Sequence, residues 1–208
     1  MHILSIKLFN TNKRDHNNNP ILLADAEDLS TIPFLARING SASEFLLFLS
    51  RTFASRTEIG KIEGCREKDY IGWIYHKSSG LAGVVICDEE YERRVALGLI
   101  HRSMEIYESM ASNWDWSTYD KDNKTPIKEI NDLLIKYQTP HNEDSISKIT
   151  KDLEETKTVL HESIDKMLER GEKIDKIVEK SQDLSRQSKL FYKRSKKLNS
   201  WCGSCCIS

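Results

Sequence analysis

The chain has 208 residues, of which 38% are hydrophobic and 30% are charged, and its formal net charge is −1. This length suits one globular domain with an extended appendage. The balanced charge and the lack of a basic surface motif interleaved with aromatic residues argue against a nucleic-acid partner, and none is expected.

The sequence predicts neither a signal peptide nor a membrane-spanning helix. Met1–Asn10 alternates between hydrophobic and polar residues like a strand and lacks the long apolar core of a signal peptide. The longest well-formed apolar run, Leu81–Cys87, falls well short of the roughly 18 residues of a membrane helix. We therefore expect a cytosolic protein, and its five cysteines do not indicate a disulfide framework.

The first part of the chain predicts a hairpin followed by a helix. Strands are expected at His2–Phe9 and Pro20–Ala26, joined by the polar loop Asn10–Pro20, which is rich in turn-forming residues. The stretch Asp28–Asn39 predicts no regular structure. Ser43–Arg56 predicts a helix, because its large apolar residues share one face: Phe45, Leu46, Leu49 and Phe53.

Three strands and two helices are predicted to follow. The strands are expected at Lys61–Arg66, Tyr70–His76 and Leu81–Cys87. Tyr91–Ala111 predicts a helix, and a last helix is expected from residue 125 or 126 to about Tyr137. The residues of the longer helix that are spaced to face the sheet are Val95, Leu99, Ile106 and Met110.

No arrangement of residues in this part of the chain indicates catalysis. The six histidines lack ligand spacing with cysteines or carboxylates, and the nucleotide-binding pattern G-x-x-x-x-G-K-[ST] is absent. Cys65 and Cys87 fall inside predicted strands and are interpreted as small core residues rather than nucleophiles. We expect no enzyme activity, no catalytic residue, no metal and no cofactor apart from covalent lipid.

The second part of the chain carries a hydrophobic repeat in alternating steps of three and four residues. This is the a/d pattern of a left-handed coiled coil, and it continues without a slip for more than seven heptads. A continuous helix over this stretch would be a rod roughly 80 Å long. The sixteen a/d positions are Ile146, Ile149, Leu153, Thr156, Leu160, Ser163, Met167, Arg170, Ile174, Ile177, Ser181, Leu184, Ser188, Phe191, Ser195 and Leu198.

The composition of the a/d positions favours different partner helices over self-association. Ten of the sixteen are apolar, five are Ser or Thr, and one is Arg170. Small side chains would leave gaps between two identical stripes, and two facing arginines would repel each other. A buried guanidinium has five donors and no acceptor, so Arg170 needs several oxygen atoms around it. Leaving it unpaired would cost on the order of 3–5 kcal/mol.

The residues around Arg170 resemble the centre of an R-SNARE motif. Residues 159–174 read VLHESIDKMLERGEKI, with seven a/d positions before the arginine and eight after it. In that family the arginine meets one glutamine from each of three partner helices in the middle layer of a four-helix bundle. The resemblance implies three Q-SNARE helices as partners, Arg170 as the ionic layer and the other a/d residues as core layers. A generic coiled coil with a surface arginine is the alternative.

The N-terminal part resembles a longin domain, on the element order β-β-α-β-β-β-α-α and on Asp69-Tyr70, Leu81–Ile86 and Glu90-Tyr91. That family folds as a five-stranded antiparallel sheet between helices. The expected fold class is therefore an α+β longin domain followed by a long α-helical coiled-coil SNARE motif. We assign the longin domain to residues 1–138, the R-SNARE motif to 139–198 and a lipidated tail to 199–208.

The apolar face of the Ser43–Arg56 helix has two interpretations. Most of its residues are expected to be core. The resemblance also implies a groove between this helix and the third strand that can hold an apolar peptide. In longin R-SNAREs the chain's own SNARE segment can fold back there, which predicts an intramolecular contact at Phe45.

The C-terminus predicts lipid attachment. Cys205–Ser208 fits the C-a-a-X motif, and its final serine favours farnesyl on Cys205. Prenylated R-SNAREs of this kind typically end in C-C-a-a-X, with palmitate on the first cysteine. Here Ser204 occupies that position, which leaves Cys202 as the candidate for palmitate and an unmodified thiol as its alternative.

A basic tail would support the lipid at a membrane surface. No acidic residue follows Asp183, whereas six basic residues do. One short lipid binds membranes only marginally, and each basic residue near an anionic leaflet adds about 1 kcal/mol. We expect exchange between the cytosol and the cytosolic face of Golgi, ER, endosomal or vacuolar membranes.

Together these features predict an R-SNARE that mediates intracellular vesicle-membrane fusion, with reversible lipid anchoring and a regulatory longin domain. The alternative function is a longin-type trafficking adaptor or tether whose coiled coil only recruits partners.

Overall fold

Five antiparallel strands form the centre of the computed structural model, which describes residues 2–111, 115–123, 126–138, 158–168 and 171–197. The order in the sheet is β2-β1-β5-β4-β3, and every pair of neighbours is antiparallel. This confirms the predicted α+β class and its five strands. They are β1 (Ile3–Arg14), β2 (Pro20–Glu27), β3 (Ile62–Glu67), β4 (Tyr70–His76) and β5 (Leu81–Asp88).

A sixth strand, β6 (Thr158–His161), extends the sheet beyond β3. It runs parallel to β3, from Ile62 opposite Thr158 to Cys65 opposite His161. Its residues belong to the stretch with the coiled-coil repeat, which was expected to be helical. The sheet therefore has one strand more than the sequence predicted.

Helices cover both faces of the sheet. On one face lies a core shared by the strands with α3 (Arg93–Met110) and α4 (Lys128–Lys136). The core of the other face includes residues of α2 (Ser41–Arg56) and of two helices from the repeat region, and partly buried residues of a third repeat-region helix pack against it. The remaining helices are α1 (Phe34–Ile38), α5 (Ile164–Met167), α6 (Ile174–Lys180) and α7 (Arg186–Lys197).

Three local predictions in the N-terminal domain, residues 2–138, are wrong. β1 continues through the expected loop to Arg14, because Thr11 donates its N–H to the Gly80 carbonyl oxygen at 2.9 Å and Arg14 pairs with Pro20. The stretch expected to be irregular contains helix α1. Met110, expected to face the sheet, is 36% exposed because it is the last residue of α3.

The repeat region is not one helix in this conformation. Its described residues form β6, α5, α6 and α7 in place of an 80 Å rod. Gly171 has a φ of +93°, a left-handed conformation that glycine adopts readily and that no α-helix contains. A lone amphipathic helix has no core of its own, whereas in this arrangement the apolar side chains reach the core of the N-terminal domain.

A buried cation fixes the edge of the sheet formed by β1 and β2. Lys7 on β1 is fully buried, and its Nζ donates to Asp25 Oδ1 and, at 2.5 Å, to Glu27 Oε1 on β2. A buried ammonium needs such partners, since removing one side of a buried ion pair leaves uncompensated charge.

We predict that Lys7→Ala lowers the free energy of unfolding by about 3 kcal/mol, because two carboxylates would remain at the sheet edge without their cation. Urea denaturation monitored by circular dichroism measures this loss. Lys13→Ala is the control, since Lys13 is exposed near the end of the same strand. Equal stability of the two variants would contradict the prediction.

Candidate functional site: the groove that holds residues 158–197

The candidate site is a groove between α2 and the β3 edge of the sheet. It holds residues 158–168 and 171–197, here called the docked segment. The docked segment enters the sheet as β6, where the Arg93 guanidinium donates to Thr158 Oγ1 at 2.6 Å. His161 Nε2 lies 3.1 Å from Glu63 Oε2 on β3. The main-chain pairing of β6 with β3, together with these two side-chain contacts, fixes the register in which the segment begins.

Apolar side chains anchor the docked segment beyond β6. Six of them are buried in the same core as α2, and three of the six occupy a/d positions. Burying a large aliphatic side chain contributes about 1.5–3 kcal/mol before the cost of ordering the chain. The six residues are Ile164, Met167, Leu168, Ile174, Val178 and Leu184.

An aromatic cluster joins α2 to α7. The Phe45 ring is fully buried, and its centroid lies 6.1 Å from that of Phe48, 6.2 Å from Phe191 and 5.3 Å from Tyr192. These distances suit favourable aromatic contacts. The structure thus places Phe45 against the two aromatic residues of α7.

A carboxylate at the start of α2 receives the start of α7. Glu44 Oε1 accepts the Ser185 backbone N–H at 2.9 Å, and Glu44 Oε2 accepts the hydroxyls of Ser185, at 2.6 Å, and Ser188. Burial raises the pKa of Glu44, but the hydrogen bonds from Ser185 and Ser188 outweigh it and hold the pKa below the ordinary 4.5. The ionised carboxylate therefore stabilises the docked position of α7.

The rim of the groove is polar. Arg56 donates to Glu172 Oε2 at 2.7 Å, and Lys68 Nζ donates to the Ser195 carbonyl oxygen at 3.2 Å. Partly exposed ion pairs contribute only about 0–1 kcal/mol each. The rim positions the segment, and most of the affinity comes from the apolar contacts beneath it.

Packing under the docked segment is incomplete. A cavity of about 200 Å³ remains between α2, the sheet and the segment. Voids forfeit contacts that a well-packed core would make, so this interface is weaker than its buried area suggests. The apolar residues that line the cavity include Phe45, Leu49, Phe53, Tyr70, Ile164 and Tyr192.

The structure brings only part of the predicted a/d stripe into the groove. Met167, Ile174, Leu184, Ser188 and Ser195 are buried, whereas Leu160 is 40% exposed. The positions of intermediate burial are Ser163, Ile177, Ser181 and Phe191. The other predicted site residues lie outside the described residues: Ile146, Ile149, Leu153, Thr156, Arg170, Leu198, Cys202 and Cys205.

Two features of this site were not predicted from the sequence. The first is Glu44, which stands in the first turn of α2 and was not singled out. The second is Asp175, whose carboxylate accepts from Tyr192 at 2.6 Å and Lys196 at 2.5 Å and so ties α6 to α7. The hydrogen bonds from Lys196 and Tyr192 lower the pKa of Asp175. Both features depend on a chain reversal that a heptad pattern does not encode.

The structure confirms that the two internal cysteines are core residues. Cys65 and Cys87 are buried in β3 and β5. Burial raises the pKa of the Cys65 thiol to about 12, and it also raises the pKa of Cys87. Both thiols therefore stay protonated at neutral pH, the form that is a poor nucleophile.

Comparisons with known proteins agree with the coiled-coil pattern. Residues 145–203 match the family described as Synaptobrevin. The protein called Synaptobrevin homolog YKT6 is 38% identical over 195 residues in Yarrowia lipolytica, covering 93% of this chain and 94% of that protein. In Debaryomyces hansenii the protein of the same name is 42% identical over 186 residues, covering 89% of this chain and 90% of that protein. The VAMP-like protein YKT61 of Arabidopsis thaliana is 36% identical over 185 residues, covering 89% of this chain and 91% of that protein.

The chain therefore belongs to the synaptobrevin family, whose members are SNARE proteins of vesicle trafficking. Its relatives, which match along most of its length, place it among the Ykt6-type R-SNAREs. Within the described part of the chain, no helix combines the length and apolar composition needed to cross a bilayer.

We predict that Glu44→Ala loosens α7. Loss of the hydrogen bonds from Ser185 and Ser188 should speed hydrogen exchange in residues 186–197 about fivefold at pH 7, equivalent to about 1 kcal/mol. Because the pKa of Glu44 is lowered in the docked state, its contribution is present above pH 4.5 and is lost as the pH falls below it. The difference between wild type and variant should then shrink, after correction for the intrinsic exchange rate.

Glu129→Ala provides the matched control, since Glu129 is an exposed acid in the first turn of α4. It should leave exchange in residues 186–197 unchanged. Identical exchange of the wild type and Glu44→Ala at pH 7 would contradict the role of this carboxylate.

Proposed function

We propose that this protein mediates vesicle-membrane fusion by forming a four-helix bundle with three Q-SNARE helices. We also propose that the conformation in which the docked segment occupies the groove is the closed state of the protein. One observation carries the proposal. Met167, Ile174 and Leu184 occupy a/d positions and are buried in the groove. A four-helix bundle would need the same three side chains in its core. Docking and bundle formation are therefore mutually exclusive.

Ordering of the segment also differs between the two states. Docked residues form β6 and three short helices, whereas a bundle requires a continuous helix. Gly171 would have to leave its φ of +93° and enter the helix, where glycine costs about 1 kcal/mol relative to alanine. Partner helices must therefore supply enough buried apolar surface to replace the groove and to offset this cost.

Arg170 is proposed as the ionic layer, and the remaining a/d residues as core layers. An arginine in the centre of the bundle finds acceptors in three glutamine side chains, which satisfies its donors as an apolar layer could not. The sequence supports this role through the seven a/d positions before Arg170 and the eight after it.

Membrane attachment is proposed to rest on the C-terminal tail. Farnesyl on Cys205 would give reversible binding, and palmitate on Cys202 with the basic residues near it would give stable anchoring. Undocking frees the segment to zipper toward Leu198, which would draw the lipid anchor toward the partner membrane. The protein would then act from the cytosolic face of Golgi, ER, endosomal or vacuolar membranes.

In a central test, the full chain is mixed with candidate Q-SNARE helices, and the thermal melting of any detergent-resistant complex is measured. We predict that Arg170→Ala weakens the complex by about 1–3 kcal/mol, because three buried glutamines lose their partner. Lys173→Ala, at an exposed position off the a/d pattern, should melt like wild type. Glu44→Ala should assemble faster than wild type, because a larger fraction of the chain is undocked.

Failure of all candidate Q-SNAREs to form such a complex would favour the alternative of a trafficking adaptor or tether that only recruits partners. Equal melting of Arg170→Ala and Lys173→Ala would overturn the ionic-layer role of Arg170 while leaving the bundle itself intact.

Cell fractionation tests the proposed second lipid. We predict that Cys202→Ser shifts the protein from the membrane to the cytosolic fraction, because a single prenyl chain binds only marginally. Cys205→Ser should remove the lipid-dependent membrane pool altogether, and Ser204→Ala is the control that should leave it unchanged. An undiminished membrane pool in Cys202→Ser would exclude palmitate at that position as the stabilising element.

A further inference from the structure

A second cavity, polar and wider than the first, opens on the other side of α2. Its volume is about 840 Å³, within the range of small-molecule sites. It lies where the turn between β1 and β2 and the C-terminal half of α2 meet the end of α6. Both the N-terminal domain and the docked segment therefore contribute to its walls.

Four permanently cationic side chains line this cavity: Arg14, Arg51, Arg56 and Lys180. Two of them have carboxylate partners, since Arg56 pairs with Glu172 at 2.7 Å and Arg51 Nη2 pairs with Asp122. Arg14 donates to the Ser55 hydroxyl at 3.2 Å, and Lys180 has no ion pair among the described residues. Arg14 and Lys180 are therefore the cations left available to a ligand.

Asp183 is the one acid among the described residues that line the cavity. Its two carboxylate oxygens already accept hydrogen bonds from Asn17 Nδ2 at 2.5 Å and Asn19 Nδ2 at 2.6 Å. Those amides come from the turn between β1 and β2, so this acid serves to hold the turn against the docked segment. It leaves Arg14 and Lys180 without a carboxylate of their own.

Arg51, the most buried of the four cations, has one donor without a hydrogen-bond partner. Arg51 is only 7% exposed, and its Nε is buried without a hydrogen-bond partner. A buried donor left unsatisfied costs about 1–3 kcal/mol, so native structures rarely keep one without a reason. Because Nε is itself shielded from solvent, an anion in the cavity would bind Arg51 through its Nη atoms rather than through Nε.

We propose that this cavity binds an anion carrying phosphomonoester groups, the chemistry shared by soluble inositol phosphates and phosphoinositide headgroups. Phosphate offers several strong acceptor oxygens and close to two negative charges, which matches the forked donors of arginine. The inference rests on the closed state proposed above, because Lys180 belongs to the docked segment while Arg14 and Arg51 belong to the N-terminal domain. A bound anion would join the two and favour docking.

The test uses the full-length, unlipidated chain. Inositol trisphosphate and inorganic phosphate are titrated by calorimetry, and flotation measures binding to phosphatidylcholine vesicles with or without phosphatidylinositol bisphosphate. The double variant Arg14→Gln/Lys180→Gln should bind at least about tenfold more weakly than wild type, because two charge-assisted hydrogen bonds are lost. Lys13→Gln/Lys176→Gln removes two exposed lysines from the same strand and helix and should bind like wild type.

Hydrogen exchange separates this inference from the closed state itself. Inositol trisphosphate should slow exchange in residues 174–197 of the wild type and of the control variant, but not of Arg14→Gln/Lys180→Gln. Binding of inositol trisphosphate alone would identify a soluble ligand, and binding only of bisphosphate-containing vesicles would identify a lipid headgroup. Either result supports the site if Arg14→Gln/Lys180→Gln loses that binding.

Residues 174–197 could be protected from exchange without ligand while the anions fail to bind, or while both double variants lose anion binding equally. Either result would overturn the anion site and leave the closed state standing. Absence of that protection in the ligand-free chain would overturn the closed state, and the proposed site with it, since Lys180 would no longer lie beside Arg14.

Discussion

The apolar side chains of the docked segment can be buried against only one surface at a time, and the rest of the structure follows from this constraint. Met167, Ile174 and Leu184 pack in the core beside α2, so they are not available to partner helices. The N-terminal domain thus supplies the hydrophobic environment that an isolated amphipathic segment lacks. The segment becomes ordered without partners, and in the mechanism proposed above the same contacts would delay its association with them.

Small polar residues at a/d positions have a second use in the closed state. Their size suggested gaps to be filled by foreign helices, yet in the groove they let α7 lie close to α2. Ser188 is fully buried and donates to Glu44, while Ser195 is buried and donates to the Phe191 carbonyl oxygen at 3.0 Å. A larger aliphatic residue at Ser188 would displace α7 from Glu44. The stripe is therefore compatible with two different surroundings.

Much of the fold could be predicted from the sequence because it depends on local patterns. Aromatic and β-branched residues located β4 to the residue, and the 3.6-residue period located α2 and α3 to within two residues at each end. The heptad repeat identified Met167, Ile174 and Leu184, which are buried in the groove, but not Ile164, Leu168 and Val178, which are buried beside them. It could not predict β6, since Thr158–His161 becomes a strand by pairing with the free edge of β3, and a heptad pattern does not encode that pairing. The contact of Glu44 with Ser185 joins residues 141 positions apart and has no local signature.

Release of the docked segment is favoured by the way its contacts are divided. Its rim consists of partly exposed ion pairs, its core leaves a cavity of about 200 Å³, and Leu160 and Val159 of β6 remain largely exposed. Such an interface can open segment by segment, because β6, α5, α6 and α7 are separate short elements. In the proposed mechanism, partner helices that capture one freed element would gain buried surface before the next is released, and the segment would then pass from groove to bundle without a fully undocked intermediate.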